Sequence, residues 1–301
     1  RTWTCEVILQ PWRFCWTISL IPTSISVNTT RVACKMPGTP TRQKDWSLED
    51  LRSSASKGRF RISKAIFVEC FNQTALDEAQ WVLKIMDSDS FLVGLVAQIS
   101  VQKGAEEVNA FLENMKKRYG GVLPKGLKGA RFVMMAWENQ ADDACLDPKF
   151  LEGLEALGKA GLLWEFCCEP RVAPYLLSCI AKFPEMTFII DHLAHNGNNG
   201  GEMAKWGPAI DALGKLPNVY MKMGATEQWN VENPGDYIDR AISAFGFDRI
   251  LYESNWFVND AMGDSYDKTA QLLYDGCKRA GATAEDLRRV FHDNACKVYQ
   301  L

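Results

Sequence analysis

Histidine is the scarcest chemistry-bearing residue in this 301-residue chain. There are three, His192, His195 and His292, and none precedes residue 192. An imidazole-rich metal site in the first half is thereby excluded. The ten cysteines contain no CxxC pair, and only Cys167 and Cys168 are adjacent. A zinc knuckle is excluded, and the thiols read as reduced, buried side chains of a cytoplasmic protein. No GxGxxG or GxxxxGK[ST] follows a strand pattern, so nucleotide binding has no support. No apolar run is long enough to cross a bilayer. The stretch from Phe14 to Val27 is apolar after Arg13, but Pro22 and several Ser and Thr interrupt it, so a targeting role is not expected. A net charge of −3 argues against nucleic acid and against an acidic membrane surface.

What is present is ordinary for a globular enzyme: 47% hydrophobic and 24% charged residues in a length that suits one large domain. The chain starts with Arg1 rather than Met, which reads as a fragment or a processed form. Residues 1–34 carry no sustained periodicity and are expected to be an irregular N-terminal segment. Met36-Pro37-Gly38-Thr39-Pro40 marks a loop, and 35–301 forms the domain proper.

From Ser63 onward, short apolar runs alternate with amphipathic helices. Strands are predicted at Ala65–Glu69, Leu92–Ile99, Ala130–Met135, Leu162–Phe166, Thr187–Asp191, Val219–Met223 and Arg249–Glu253. Helices are predicted at Leu76–Ile85, Ala105–Tyr119, Pro148–Lys159, Ala173–Lys182, Pro208–Leu216, Tyr237–Phe245, Ser265–Ala280 and Ala284–Tyr299. Asp147 caps Pro148, and Thr283 with Asp286 opens the last helix. Seven such units predict parallel strands and a (β/α)8 TIM barrel, with the first strand in or before residues 1–34 and either lost or altered.

In such a barrel the chemistry sits where the strands end. Those positions hold Glu69, Asn72, Gln98, Arg131, Trp137, Glu165, Asp191, His192, His195, Lys222, Glu227, Glu253 and Asn255. Any one of them reads as a solvated strand end; the whole set favours an enzyme. The sharpest local signal is TFIIDHLAHNG at 187–197, where an apolar strand runs directly into Asp191-His192. A histidine there can act as base, acid or ligand. Glu253 and Asn255 share one face of the last strand. Glu253 or Glu165 is the candidate base, with a buried pairing to Lys222 or Arg131 as the equal alternative. Trp256 and other tryptophans are candidates for the pocket wall, and His292 reads as packing.

The chain resembles the amidohydrolase-related family over about residues 36–301. The resemblance rests on KGLKGARFV (125–133), CLDPKFLEGLEALGKAGLLWEF (145–166), PEMTFIIDHLAHNG (184–197), LPNVYMKMG (216–224), FGFDRILYESNWFV (245–258) and VFHDNACKVY (290–299). It is similar in pattern to the fuconolactone, rhamnonolactone and pyrone-dicarboxylate lactonases. The resemblance implies an amidohydrolase-like barrel of the metal-dependent hydrolase superfamily. It also implies that His192 matches the strand-six histidine and Arg131 the substrate-binding arginine of strand four. The family's GSDWP stretch corresponds to Glu253-Ser254-Asn255-Trp256-Phe257, with Asn255 replacing the aspartate. Its strand-one HxH pair is absent, and its strand-five histidine corresponds to Glu165 or a neighbour.

The resulting expectation is a lactonase-like hydrolase working by water attack on a ring carbonyl. Catalytic candidates are His192, Glu253, Glu165 and Asp191; substrate-binding candidates are Arg131, Lys222, Asn255, Gln98 and Trp256. No metal ligand set and no cofactor are expected, with zinc conceivable only in a form carrying the HxH strand. The expected partner is a small-molecule substrate, with no nucleic acid or membrane, and self-association is left open. The alternatives are a non-oxidative decarboxylase of the same fold and a catalytically inactive barrel that binds a ligand or partner.

Overall fold

In the computed structural model the described residues are 47–301, apart from 71–74, 135–140, 169, 195–202, 226–230, 232 and 262–264, together with the strand backbones at 14–19, 31–32 and 44–45. Eight parallel strands form one sheet in sequential order. They are β1 Phe14–Ser19, β2 Ile62–Val68, β3 Leu92–Gln98, β4 Leu127–Val133, β5 Leu163–Cys167, β6 Phe188–Ile190, β7 Val219–Met223 and β8 Ile250–Tyr252. This is the architecture of the (β/α)8 barrel, with an altered first strand. Arg31–Val32 and Lys44–Asp45 make a separate antiparallel pair.

The expectation of an irregular segment over 1–34 is corrected for 14–19. Those residues form β1, parallel to β2 with Trp16 opposite Ala65 and Ile18 opposite Phe67. FCWTIS is rich in aromatic and β-branched residues, which suit a strand. The sequence lacks the repeating strand–helix pattern around it that identifies the other seven.

Helices alternate with the strands as predicted: α1 Leu48–Lys57, α2 Ala75–Ser88, α3 Ala105–Arg118, α4 Pro148–Lys159, α5 Ala173–Ile180, α6 Met203–Leu213, α7 Pro234–Phe245 and α9 Tyr266–Arg279, with a single turn α8 at Val258–Ala261. The helix α1 is not among the sequence expectations. Its signal is a capping box, in which Ser47 accepts from the Asp50 amide and Asp50 accepts from the Ser47 amide. The helix expected from Pro208 begins at Met203 instead, so Pro208 lies inside it. The single final helix expected over 284–299 is divided into α10 Ala284–Arg288, a π turn Arg289–Asp293 and α11 Asn294–Val298. The wider turn accompanies Asn294 Nδ2, which donates to the carbonyls of Phe247 and Ile250 at 2.7 and 2.8 Å.

Strand alternation divides the apolar residues into two sets. Outward side chains such as Phe67, Leu95, Trp164, Phe166 and Phe188 pack under the helices. Inward ones, Ile66, Val96, Leu163, Ile189, Tyr220 and Leu251, cluster with Ala295, Val298 and Tyr299. The C-terminal segment therefore floors the barrel. Its π turn also lies against both β1 and β8, across the seam between the first and last strands, which covers strand edges that would otherwise be open.

The fit of α4 depends on one small residue. A Cβ on Gly153 would lie 2.2 Å from the Val101 carbonyl oxygen, whereas one on Gly158 would meet nothing closer than Met186 Sδ at 3.5 Å. Gly153→Ala is expected to lower stability in urea denaturation by about 1–3 kcal/mol through overpacking. Gly158→Ala, on the same helix, is expected to raise it by about 0.5–1 kcal/mol. Equal effects of the two substitutions would refute this packing.

Candidate functional site

The inner positions that follow the apolar floor are charged. On β4 this is Arg131, on β5 Glu165, on β7 Lys222, and at the ends of β2, β6 and β8 Glu69, Asp191 and Glu253. All six are buried. On β5, β6, β7 and β8 period-two alternation produces this layering, one residue after the apolar inner residue facing the helices and the next the barrel axis. Glu69 instead follows directly on the inner Val68, at the end of β2.

The charges are paired by geometry. Arg131 Nε lies 2.8 Å from Glu69 Oε1, and its NH1 lies 2.8 Å from Asp191 Oδ2. Its NH2 donates to the Glu69 carbonyl at 2.5 Å. Lys222 Nζ donates to Glu165 Oε2 at 2.5 Å and stands 3.2 Å from Asp191 Oδ1. The hydroxyl of Tyr299 donates to Glu165 Oε1 at 2.5 Å. A single chain of contacts thus runs from Tyr299 on the floor through Glu165, Lys222, Asp191 and Arg131 to Glu69.

His192 stands at the end of β6, its side chain 17% exposed while its neighbours in the network are sealed. Its Nδ1 lies 2.7 Å from Glu253 Oε2, and its backbone amide donates to the same oxygen at 3.3 Å. Cys167, on the adjacent strand β5, adds to the electrostatic field on the ring. The backbone presents it on a left-handed turn: φ is 53° at His192, 58° at Leu193 and 50° at Ala194. None of these is glycine, and each such residue costs about 1–2 kcal/mol. Trp206 Nε1, donating to the Leu193 carbonyl at 2.7 Å, holds the turn from α6.

Burial and neighbours set the protonation states. Burial would depress the His192 ring, but Glu253 and Cys167 outweigh it and raise the ring well above the usual histidine value. Burial raises the Glu165 carboxyl to about 7 against the pull of Lys222 and Arg131. Burial would also raise Asp191, but Lys222, Arg131 and His192 hold it at about 2. Lys222 is raised because Asp191, Glu165 and Glu253 overcome its desolvation.

The sequence candidates His192, Glu253, Glu165, Asp191, Arg131 and Lys222 are brought together. Asn255 and Trp256 follow Glu253, both buried, with Asn255 at φ 47°. Gln98, opposite Arg131 in the β3–β4 ladder, has a buried Oε1 without a hydrogen-bond partner. Trp164 faces the helices, edge-on to Phe150, and His292 sits on the π turn beside Asp293. Asn72, Trp137, His195, Glu227 and Trp229 lie outside the described residues. The expectations did not include Cys167, Glu78 or Tyr299. Alternation from Glu165 could have flagged Cys167. Glu78 is a buried carboxyl of α2, raised well above the usual value by burial and by Glu69; nothing in its helix pattern marks it. Tyr299 carries no strand-end signal because it arrives from the opposite face of the barrel.

The donor set does not fit the divalent metal that the family resemblance implies. Among the described residues no three His, Cys, Asp or Glu side chains converge as a metal would require. Arg131 and Lys222 already neutralise Glu69, Glu165 and Asp191, and β1 contains no histidine. A divalent cation added there would be repelled by two fixed cations.

Removing one member of this network should cost far more than a surface change. Lys222→Met is expected to lower stability by about 3–5 kcal/mol, because Glu165 and Asp191 lose a shared buried cation. Glu165, with its folded value raised to about 7, contributes stability that is complete below its unfolded value of about 4.3 and is lost as pH rises through about 7. Urea titrations from pH 4 to 8 should show this decline, and Glu165→Gln should flatten it. An unchanged slope in Glu165→Gln would contradict the assignment.

The model of the amidohydrolase family matches residues 104–301. An L-fucono-1,5-lactonase of Burkholderia ambifaria is 23% identical over 234 residues, covering 75% of this chain and 76% of the lactonase. Amidohydrolase 2 from Bifidobacterium longum subsp. infantis superposes with a TM-score of 0.70 at 22% identity, over 96% of this chain and 99% of that one. An amidohydrolase from Burkholderia multivorans with bound zinc does so with a TM-score of 0.76 at 16% identity, over the same shares. No helix among the described residues is long and apolar enough to cross a membrane. With its barrel, its charged strand ends and a family match across two thirds of its length, the chain belongs to the amidohydrolase family and is an enzyme of the hydrolase type.

Proposed function

We propose that the protein hydrolyses a small lactone or a similar cyclic ester at the C-terminal ends of its barrel strands, without a metal. The observation that carries this reading is the His192–Glu253 pair, 2.7 Å apart, with its imidazole partly open at the edge of an otherwise sealed ionic network. Ring opening needs a proton moved to and from oxygen at one place, and a histidine oriented by a carboxylate does this. Glu253 holds Nδ1, which leaves Nε2 for the substrate side. The raised ring favours the imidazolium, which can polarise the carbonyl or protonate the departing ring oxygen.

Of the two candidate bases, Glu253 suits the role better. Both oxygens of Glu165 are engaged, by Lys222 and by Tyr299, and its side chain is fully buried. Arg131 directs its donors to Glu69 and Asp191. We therefore assign Arg131, Lys222, Asp191 and Glu165 to holding the site in shape and fixing its potential. Gln98, with an unpartnered buried oxygen, together with Asn255 and Trp256 is assigned to substrate contact. The B. ambifaria relative is named for an L-fucono-1,5-lactone, so sugar lactones are the first substrate class to test.

The test is hydrolysis of a panel of 1,4- and 1,5-sugar lactones and dicarboxylate lactones, followed by proton release. His192→Ala and Glu253→Gln are expected to slow the reaction by about 10²–10⁴-fold while the thermal melt remains cooperative. A hydroxybenzoic acid in the same panel, followed by carbon dioxide release, tests the decarboxylase alternative. A folded protein that opens no lactone would overturn the proposal.

A further inference from the structure

Cys167 is set apart from the other described cysteines by its position. It is buried yet belongs to neither apolar cluster. On β5, Leu163 joins the inner cluster and Glu165 reaches Lys222 and Tyr299, while Trp164 and Phe166 face the helices. The same alternation turns Cys167 to the barrel axis, one step beyond Glu165 towards the strand end. Next to it in the β4–β5 ladder is Val133, two residues on from Arg131. The next strand over, β6, carries Ile190 opposite Phe166 and delivers His192 two residues later.

Two side chains bear on the His192 imidazole. Glu253 Oε2 is 2.7 Å from Nδ1, and Cys167, turned to the same axis on the adjacent strand, acts electrostatically on the ring. Arg131, two residues before Val133 on β4, adds positive charge in the same layer. A nucleophilic side chain beside a histidine that a carboxylate orients is the arrangement that makes a thiol an effective nucleophile.

We propose that Cys167 is a catalytic nucleophile, forming with His192 and Glu253 a cysteine–histidine–glutamate triad that opens a cyclic ester through a thioester intermediate. This rests on the lactone reading above and specifies its chemistry. In the reacting ion pair the proton of the thiol already resides on the imidazolium, and the sulfur attacks the carbonyl carbon. The ring C–O bond breaks, and the imidazolium returns the proton to the departing oxygen, leaving a hydroxyacyl group on sulfur. Water then loses a proton to the same imidazole as it attacks the thioester. The C–S bond breaks, the hydroxy acid leaves, and the sulfur is released beside the imidazolium, which regenerates the ion pair. No oxidant, reductant or metal enters either step.

Ring opening expels no fragment, so the intermediate weighs the protein plus one whole lactone. The full chain, mixed with each sugar lactone of the panel and quenched in acid, is expected to show this added mass on the peptide containing Cys167. Cys167→Ala is expected to lose both the adduct and at least about 10²-fold of the hydrolysis rate. A second readout needs no substrate. Iodoacetamide labelling, mapped by peptide, is expected to modify Cys167 at a rate that falls about tenfold or more in His192→Ala. Cys296, half-buried and 3.7 Å from His292 Nε2, is the comparison thiol, with a rate unchanged by His192→Ala. Thermal melts establish that each variant is folded.

Hydrolysis that survives in Cys167→Ala overturns the triad and leaves the lactone reading intact. Cys167 labelling that is indifferent to His192 also overturns it. If no lactone is opened while Cys167 labelling still depends on His192, the lactone reading fails and the Cys167–His192 pairing stands.

Discussion

Two cations sealed inside the barrel, Arg131 and Lys222, tie together acidic groups from three different strands. Arg131 joins the end of β2, through Glu69, to the end of β6, through Asp191. Lys222 joins β5 to the same Asp191. Removing these charges from water is costly, and only near-complete mutual satisfaction offsets that cost. The positions of the strands are thus constrained by charge as well as by backbone ladders. His192 depends on this arrangement, because Asp191 immediately before it is fixed by both cations.

The apolar floor and the C-terminal segment serve the same constraint. Tyr299 brings the hydroxyl that completes Glu165, and Ala295 and Val298 keep water from the layer beneath. Buried charge pairs strengthen as the surroundings lose polarity, and so does the penalty for any unpaired member. The one member of the set left partly open to the mouth is His192. That contrast between closed network and open imidazole distinguishes a reactive position from structural charge.

Much of this was legible in the sequence. Periodicity located seven strands and their helices, and the strand-end rule gathered Arg131, Glu165, Asp191, His192, Lys222 and Glu253 before any coordinates. Partner choice was not legible. Whether Glu165 or Glu253 meets His192 depends on barrel stagger and on side-chain reach, which alternation alone does not encode. Tyr299 was hidden because it approaches from the side opposite the strand ends. The strand β1 was hidden because it lacks the repeating neighbours that made the others recognisable. Cys167 was passed over among ten scattered thiols, although its spacing from Glu165 held the signal.

The left-handed turn at His192, Leu193 and Ala194 sets stability against activity. Glycine adopts that backbone region freely, so Ala194→Gly would relieve local strain at the loss of a single methyl group. The more comfortable chain would also explore more conformations, and the imidazole direction that Trp206 and the turn now enforce would become one of several. Selection for a functioning site would then retain the strained alanine, and a search for stabilising substitutions would find at this turn gains that blunt the enzyme.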